Sequence, residues 1–156
     1  MGKFEELTPL LMEKLMKEFG LKEFHAAGIV GNGAHESMGF KVLREIGQPN
    51  GKGGYGWFQW TGQRREQFLG WCKQNNLDWQ GDEANTGFLI HELKTTEKSS
   101  IKHLLTAKDV DESTKVFERY FEAAGTPRMD SRLEWAHKAL AVWQKSQLSK
   151  KTCASS

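Results

Sequence analysis

The stretch Phe24 to Ser37, FHAAGIVGNGAHES, constrains the fold of this chain more than any other. Its apolar residues Phe24, Ala27, Val30 and Ala34 recur at the spacing of one helix face. Many of the remaining positions are small, so the backbone of this helix can lie close against its neighbours.

Further helical patterns surround it. Thr8 as N-cap and Pro9 at the first helical position predict a helix that carries Leu11, Leu15 and Phe19 inward and stops at Gly20. Thr61 is placed to cap a helix with Phe68, Leu69 and Cys72 on one face. NTGFLIHELK predicts another, with Phe88, Leu89 and Leu93 inward. A short one follows in SSIKHLLTA, capped by Ser99 or Ser100. DVDESTKVFERYFEAAG starts on an Asp cap, carries Val110, Phe117, Phe121 and Ala124, and stops at Gly125. RMDSRLEWAHKALAVWQ repeats Met129, Leu133, Ala136, Leu140 and Trp143. Between residues 38 and 60 the glycines of NGKGGYG and Pro49 predict a small irregular or short-hairpin lobe. The fold class is therefore mainly α, in one domain over residues 1–148, with 149–156 as a flexible C-terminal tail.

Charge and composition remove several function classes. A net charge of +2, without a Lys/Arg block in the folded region, argues against nucleic acid. No apolar run approaches the roughly 20 residues that span a bilayer, and the N-terminus alternates apolar and charged residues, unlike a secretory signal. Cys72 and Cys153 do not form a CxxC pair and read as two free thiols, which suits synthesis in a reducing cytoplasm.

Within GNGAHESMGF, Glu36 stands between His35 and Ser37 and admits three readings. ESMG half-matches the G-x-S-x-G nucleophile elbow, but His35 occupies the first glycine position and no strand precedes it. A metal site would need about three converging ligands, but adjacent His35 and Glu36 point to different sides of a helix, and His25, His91 and His103 share no ligand spacing. The glycines of GIVGNG have the wrong order for a dinucleotide fingerprint. The third reading is a general acid at a helix end, where desolvation and the helix dipole disfavour the charged carboxylate. A salt-bridged structural glutamate is the alternative to it.

A second cluster, GGYGWFQWTGQRREQF, sets Tyr55, Trp57 and Trp60 around Gln59. Aromatic faces with a planar amide suit sugar rings and their hydroxyl or acetamido groups. The alternative is a loop whose aromatics close the core. Thr61 adds a hydroxyl able to orient a water, and Arg64 and Arg65 could contact peptide carboxylates or remain on a helix surface. His35 is expected to pack or hydrogen-bond at the helix end.

Together, AAGIVGNGAHESMGF and GGYGWFQWTGQRREQF resemble the phage tail lysozyme family of the lysozyme-like superfamily, over at least Phe24 to Cys72. The resemblance extends more loosely to FERYFEAAGTPRMDSRLEWAHKA. It implies a lysozyme-like α (α+β) fold and a muramidase that cuts the β-1,4 bond after N-acetylmuramic acid, as a phage endolysin or a tail-associated lysin. The family's catalytic glutamate falls on Glu36, and the cleft-lining segment on Tyr55, Gly56, Gln59, Trp60 and Thr61. An acidic residue nine positions after the catalytic glutamate holds the attacking water in related phage lysozymes, and Glu45 occupies that position here. A lytic transglycosylase, using Glu36 as acid and then base, and an inactive wall-binding or tail structural module are the alternatives. The implied partner is the peptidoglycan glycan strand, acted on at the cell wall by a monomer that needs no metal or organic cofactor and does not insert in a membrane.

Overall fold

The computed structural model describes residues 2–155, with side chains up to Thr152. Among the described residues, seven α-helices follow in chain order: α1 (Lys3–Phe19), α2 (Glu23–Ser37), α3 (Gly62–Gln74), α4 (Asp82–Lys94), α5 (Lys98–Leu104), α6 (Val110–Phe117) and α7 (Met129–Ser155). A single wide π-helical turn, Glu118–Glu122, extends α6. The lobe between α2 and α3 contains no strand, only isolated antiparallel bridges between Arg44 and Tyr55 and between Tyr55 and Trp60. The mainly α reading therefore holds.

α2 is the axis of the molecule, packed against α1, α6 and α7. Every residue from His25 to Ala34 is buried. Its glycines permit the approach: a Cβ on Gly31 would lie 2.6 Å from the Cβ of Ala136 on α7, and one on Gly28 2.8 Å from Ser113 Cβ on α6. The small residues of the sequence thus set the interhelical distances.

Several element boundaries differ from expectation. α1 begins at Lys3, so Pro9 lies inside it and Thr8 is buried rather than capping. Burial of Phe4 and Leu7 in the core offsets the hydrogen bond that Pro9 cannot donate. α5 begins at Lys98 behind Glu97, whose N–H closes back on the Glu92 carbonyl at 2.7 Å, so neither serine caps it. The chain beyond α6 turns at Ala123, in the left-handed region, rather than at Gly125. α7 runs through residues 149–155. The buried seam of α7 is Arg132, Ala136, Ala139 and Trp143, so an arginine heads it.

Asp109 caps α6 as expected, accepting the Glu112 N–H at 2.7 Å. Cys72 is a buried free thiol, pushed up to about 11 by burial; the Cys153 side chain lies outside the described residues.

Candidate active site at the end of the second helix

Glu36 occupies the last turn of α2, and local chemistry holds that turn closed. Ser37 donates its hydroxyl to the Gly33 carbonyl at 2.7 Å and accepts the Phe40 N–H at 3.0 Å. Ser37 is fully buried, which makes it a helix-end clasp rather than a nucleophile. Met38, Gly39 and Phe40 then follow in the left-handed region, and the chain leaves the helix abruptly. Phe40 is anchored between Phe4 and Trp57, at centroid distances of 6.1 and 5.0 Å.

The Glu36 carboxylate is not unpartnered. Arg132 Nη2 reaches its Oε1 at 2.6 Å, while Arg132 Nη1 donates to Asn32 Oδ1 at 2.9 Å and Nε donates to the Pro127 carbonyl. Asn32, one turn before Glu36, is itself fixed by donating to the Gly28 and Thr114 carbonyls. The Arg132 side chain is 1% exposed and that of Glu36 21% exposed, so the guanidinium is enclosed and the carboxyl reaches solvent. Oε2 of Glu36 accepts no hydrogen bond from the described residues. His35, on the neighbouring face, meets Ser131 Oγ at 2.8 Å through Nδ1. Burial and then the nearby Arg132 charge push its imidazole down to about 4, so it is neutral at physiological pH.

A second charged group lies behind this one. Glu92 on α4 accepts from Trp60 Nε1 at 2.7 Å and from Arg64 Nε and Nη2 at 2.9 and 2.8 Å. Arg64 also donates to the Phe121 carbonyl at 2.9 Å and stacks over that ring. Glu122, the last residue of the π-helical turn, stands in the fields of Glu36, Arg132, Arg64 and Glu92. Its Oε1 is buried with no hydrogen-bond partner. Burial above all, then the like charge of Glu36, raises its carboxyl well above the ordinary carboxylate range.

The segment 55–61 has a different character from the one its composition suggests. Tyr55, Trp57 and Trp60 are buried in the core. Tyr55 faces Trp79 at 4.7 Å and accepts the Gly51 N–H through its hydroxyl. Trp57 packs on Phe40, and its backbone N–H donates to Asn85 Oδ1 at 2.9 Å. Trp60 lies among Phe58, Phe68 and Phe88. These three rings are not an open stacking surface, because a loop without strands must close its side of the core with aromatic bulk. Gly56, at φ 82°, tolerates no side chain, since a Cβ there would lie 2.7 Å from Asn85 Oδ1 and from the Trp60 ring.

The polar members of the segment remain accessible. Gln59 donates through Nε2 to the Gly56 and Val42 carbonyls at 2.8 and 3.2 Å, leaving Oε1 without a partner. Thr61 is exposed at the N-cap of α3, and its hydroxyl makes no capping bond. Glu45 is exposed on the lobe, its N–H bonded to the Gly54 carbonyl and its carboxylate in no hydrogen bond or ion pair among the described residues. Arg65 is spent on Glu66 and the Gly53 carbonyl.

The structure thus joins Glu36 to Asn32 and Arg132, neither of which the sequence reading singled out. Two signals were available. Asn32 lies four residues before Glu36 on the same helix face, and Arg132 leads a series of small residues at helical spacing.

A family model described as phage tail lysozyme matches residues 10–143, a span that includes all of these groups. No curated protein matches the chain.

Proposed function

The chain belongs to the phage tail lysozyme family, and from that premise we propose that it cleaves the β-1,4 bond after N-acetylmuramic acid in peptidoglycan, with Glu36 as general acid. Membership alone gives the coarser statement, a lysozyme-like enzyme of the bacterial cell wall. The finer reading rests on one observation: a solvent-reaching carboxyl whose other oxygen is clamped by a buried guanidinium.

The chemistry follows from that asymmetry. Glu36 Oε2 gives its proton to the glycosidic oxygen as the C1–O bond breaks and the ring gains oxocarbenium character. The bonding pair leaves with the oxygen, and the new carboxylate is stabilised by the Arg132 guanidinium already in place. Water adds to C1 and passes its proton to the Glu45 carboxylate, completing hydrolysis. Gln59 Oε1 and the Thr61 hydroxyl are the groups of the 55–61 segment that can orient that water or a sugar hydroxyl. The buried rings hold the segment in shape. Glu45 is the carboxylate assigned to the water.

A second reading has its own support. Glu45 makes no polar contact with any group of the site, which suits a lytic transglycosylase in which Glu36 acts as acid and then as base. Digestion of purified sacculi separates the two. Reducing muramic ends in the product masses mean hydrolysis, and 1,6-anhydro ends mean transglycosylation. Loss of only a few-fold in Glu45→Gln would remove Glu45 from the mechanism.

A further inference from the structure

Between α3 and α4 runs a groove of about 410 Å³ whose wall includes the half-buried indole of Trp71. α4 is bare where that ring rests, since a Cβ on Gly87 would lie 2.5 Å from Trp71 Cη2. Phe88 and His91 of α4 stand beside the indole, with ring centroids 5.9 and 6.0 Å away. The indole Nε1–H donates to no group among the described residues. The exposed side chains of Gln67, Gln74 and Thr96 line the same groove and make no hydrogen bond among the described residues either.

Gln67, Gly70, Trp71 and Gln74 follow one another at the spacing of a single helix face. Gly70 is the unexpected member. A glycine inside a helix costs about 1 kcal/mol against alanine, and it is kept where the backbone must turn left-handed or be approached closely. Gly70 is not in the left-handed region, and a Cβ on it would meet nothing within 4 Å. Neither conformation nor packing within the chain accounts for it. What its absent side chain leaves is room for a ligand against the α3 backbone, beside the indole.

The lining also selects the ligand. No lysine or arginine lines the groove among the described residues, so an acidic stem peptide or a phosphate polymer would find no cation there. Its one carboxylate, Glu92, is taken up by Trp60 and Arg64. Two apolar side chains, Trp71 and Phe88, are too few for the dry centre of a protein interface. An aromatic ring flanked by uncommitted amides and a hydroxyl suits a neutral sugar, which is apolar on its ring face and polar at its edge.

We propose that the α3–α4 groove is a second glycan-binding site, which takes an uncharged N-acetylglucosamine unit of the strand over Trp71. This site rests on the reading of peptidoglycan as the substrate. Trp71 lies ten residues along α3 from Thr61, roughly 15 Å at the helical rise, so the groove is separate from the groups assigned to the water. It holds the protein on the polymer by a second point of attachment and takes no part in the chemistry at Glu36.

The test is co-sedimentation with purified sacculi in a Glu36→Gln background, which keeps the wall intact during the measurement. Gly70→Gln fills the groove, and the double variant Gln67→Ala/Gln74→Ala strips its amides. These positions are exposed, whereas Trp71→Ala would open a void against Gly87 and Phe88. Each variant is expected to weaken binding about five- to tenfold, the equivalent of one or two lost hydrogen bonds. In parallel, wild type is titrated with the soluble β-1,4-linked tetramer of N-acetylglucosamine and followed by nitrogen-15 NMR. The Trp71 indole signal and the Gln67 and Gln74 side-chain amide signals are expected to move together and saturate. Unchanged sedimentation of both variants overturns the proposal. So does a titration that leaves those three signals in place, a result available even if the variants fail to fold. Fragments released from the sacculi by Glu36→Gln itself would remove the acid assignment, while the tetramer titration still decides the groove.

Discussion

Arg132 Nη2 meets Glu36 Oε1 at 2.6 Å, and the arginine is far more deeply buried than the glutamate it holds. The three contacts of the guanidinium, to Glu36, Asn32 and the Pro127 carbonyl, join α2, α7 and the turn before α7. A lysine has neither the fork nor the number of donors to make them together. Arg132→Lys is therefore expected to lose most activity, and Arg132→Met to lose about 3 kcal/mol of stability, the low end for a broken buried pair because Glu36 reaches water. Urea unfolding checks the second figure; a loss under about 1 kcal/mol would mean that the pair does not hold these elements together.

The contact between α2 and α7 gives a separate expectation. Gly31→Ala would force a Cβ to within 2.7 Å of the Ala136 backbone, which cannot move without parting the helices. A destabilisation of about 1–3 kcal/mol follows. Gly70→Ala is the control, because a Cβ at that exposed helical position meets nothing within 4 Å and gains helix propensity. Thermal unfolding of the two variants should move in opposite directions.

These contacts also mark what could be read from the sequence. Periodicity located most of the helices, and the small residues of α2 announced close packing, because both signals are local. Arg132 was missed because an arginine among periodic alanines reads as the polar side of a helix; only the carboxylate supplied by α2 makes its burial tolerable. Tyr55, Trp57 and Trp60 read as a sugar surface because aromatics beside glycines look the same in a cleft and in a core. Their burial is decided by Trp79, Phe40, Phe68 and Phe88, which come from elsewhere in the chain. Glu36 stood out in the sequence as a carboxyl in a run of small apolar residues, and the structure places it at the end of α2, partly exposed and paired with Arg132.

The aromatics provide the next expectation. Trp60→Phe removes the hydrogen bond to Glu92 but keeps a ring in the core. It should cost about 1.5–3 kcal/mol, the range for a bond to a charged group. KM for glycan strands should change less than about twofold. A large rise in KM with unchanged stability would restore Trp60 to the sugar surface.

His35 sets a pH dependence of stability. Its imidazole is held near 4 in the fold, against an ordinary value of 6.5, so between those pH values the unfolded chain binds the proton and the folded one does not. Its contribution is complete above 6.5 and is lost progressively as the pH falls to about 4. His35→Gln keeps a hydrogen-bonding group near Ser131 but cannot titrate. Across that window the melting temperature of the variant should fall less steeply than that of wild type; parallel curves would place His35 outside the linkage.

The central claim, that Glu36 carries the proton to the glycosidic oxygen, is tested most directly by the rate of sacculus cleavage in Glu36→Gln, with its fold confirmed by circular dichroism. Glutamine keeps the shape and an oxygen for Arg132 but has no proton of the required acidity. The account predicts a fall of about 10²- to 10⁴-fold in kcat with an intact fold. Cleavage at the wild-type rate by a folded Glu36→Gln protein would contradict it.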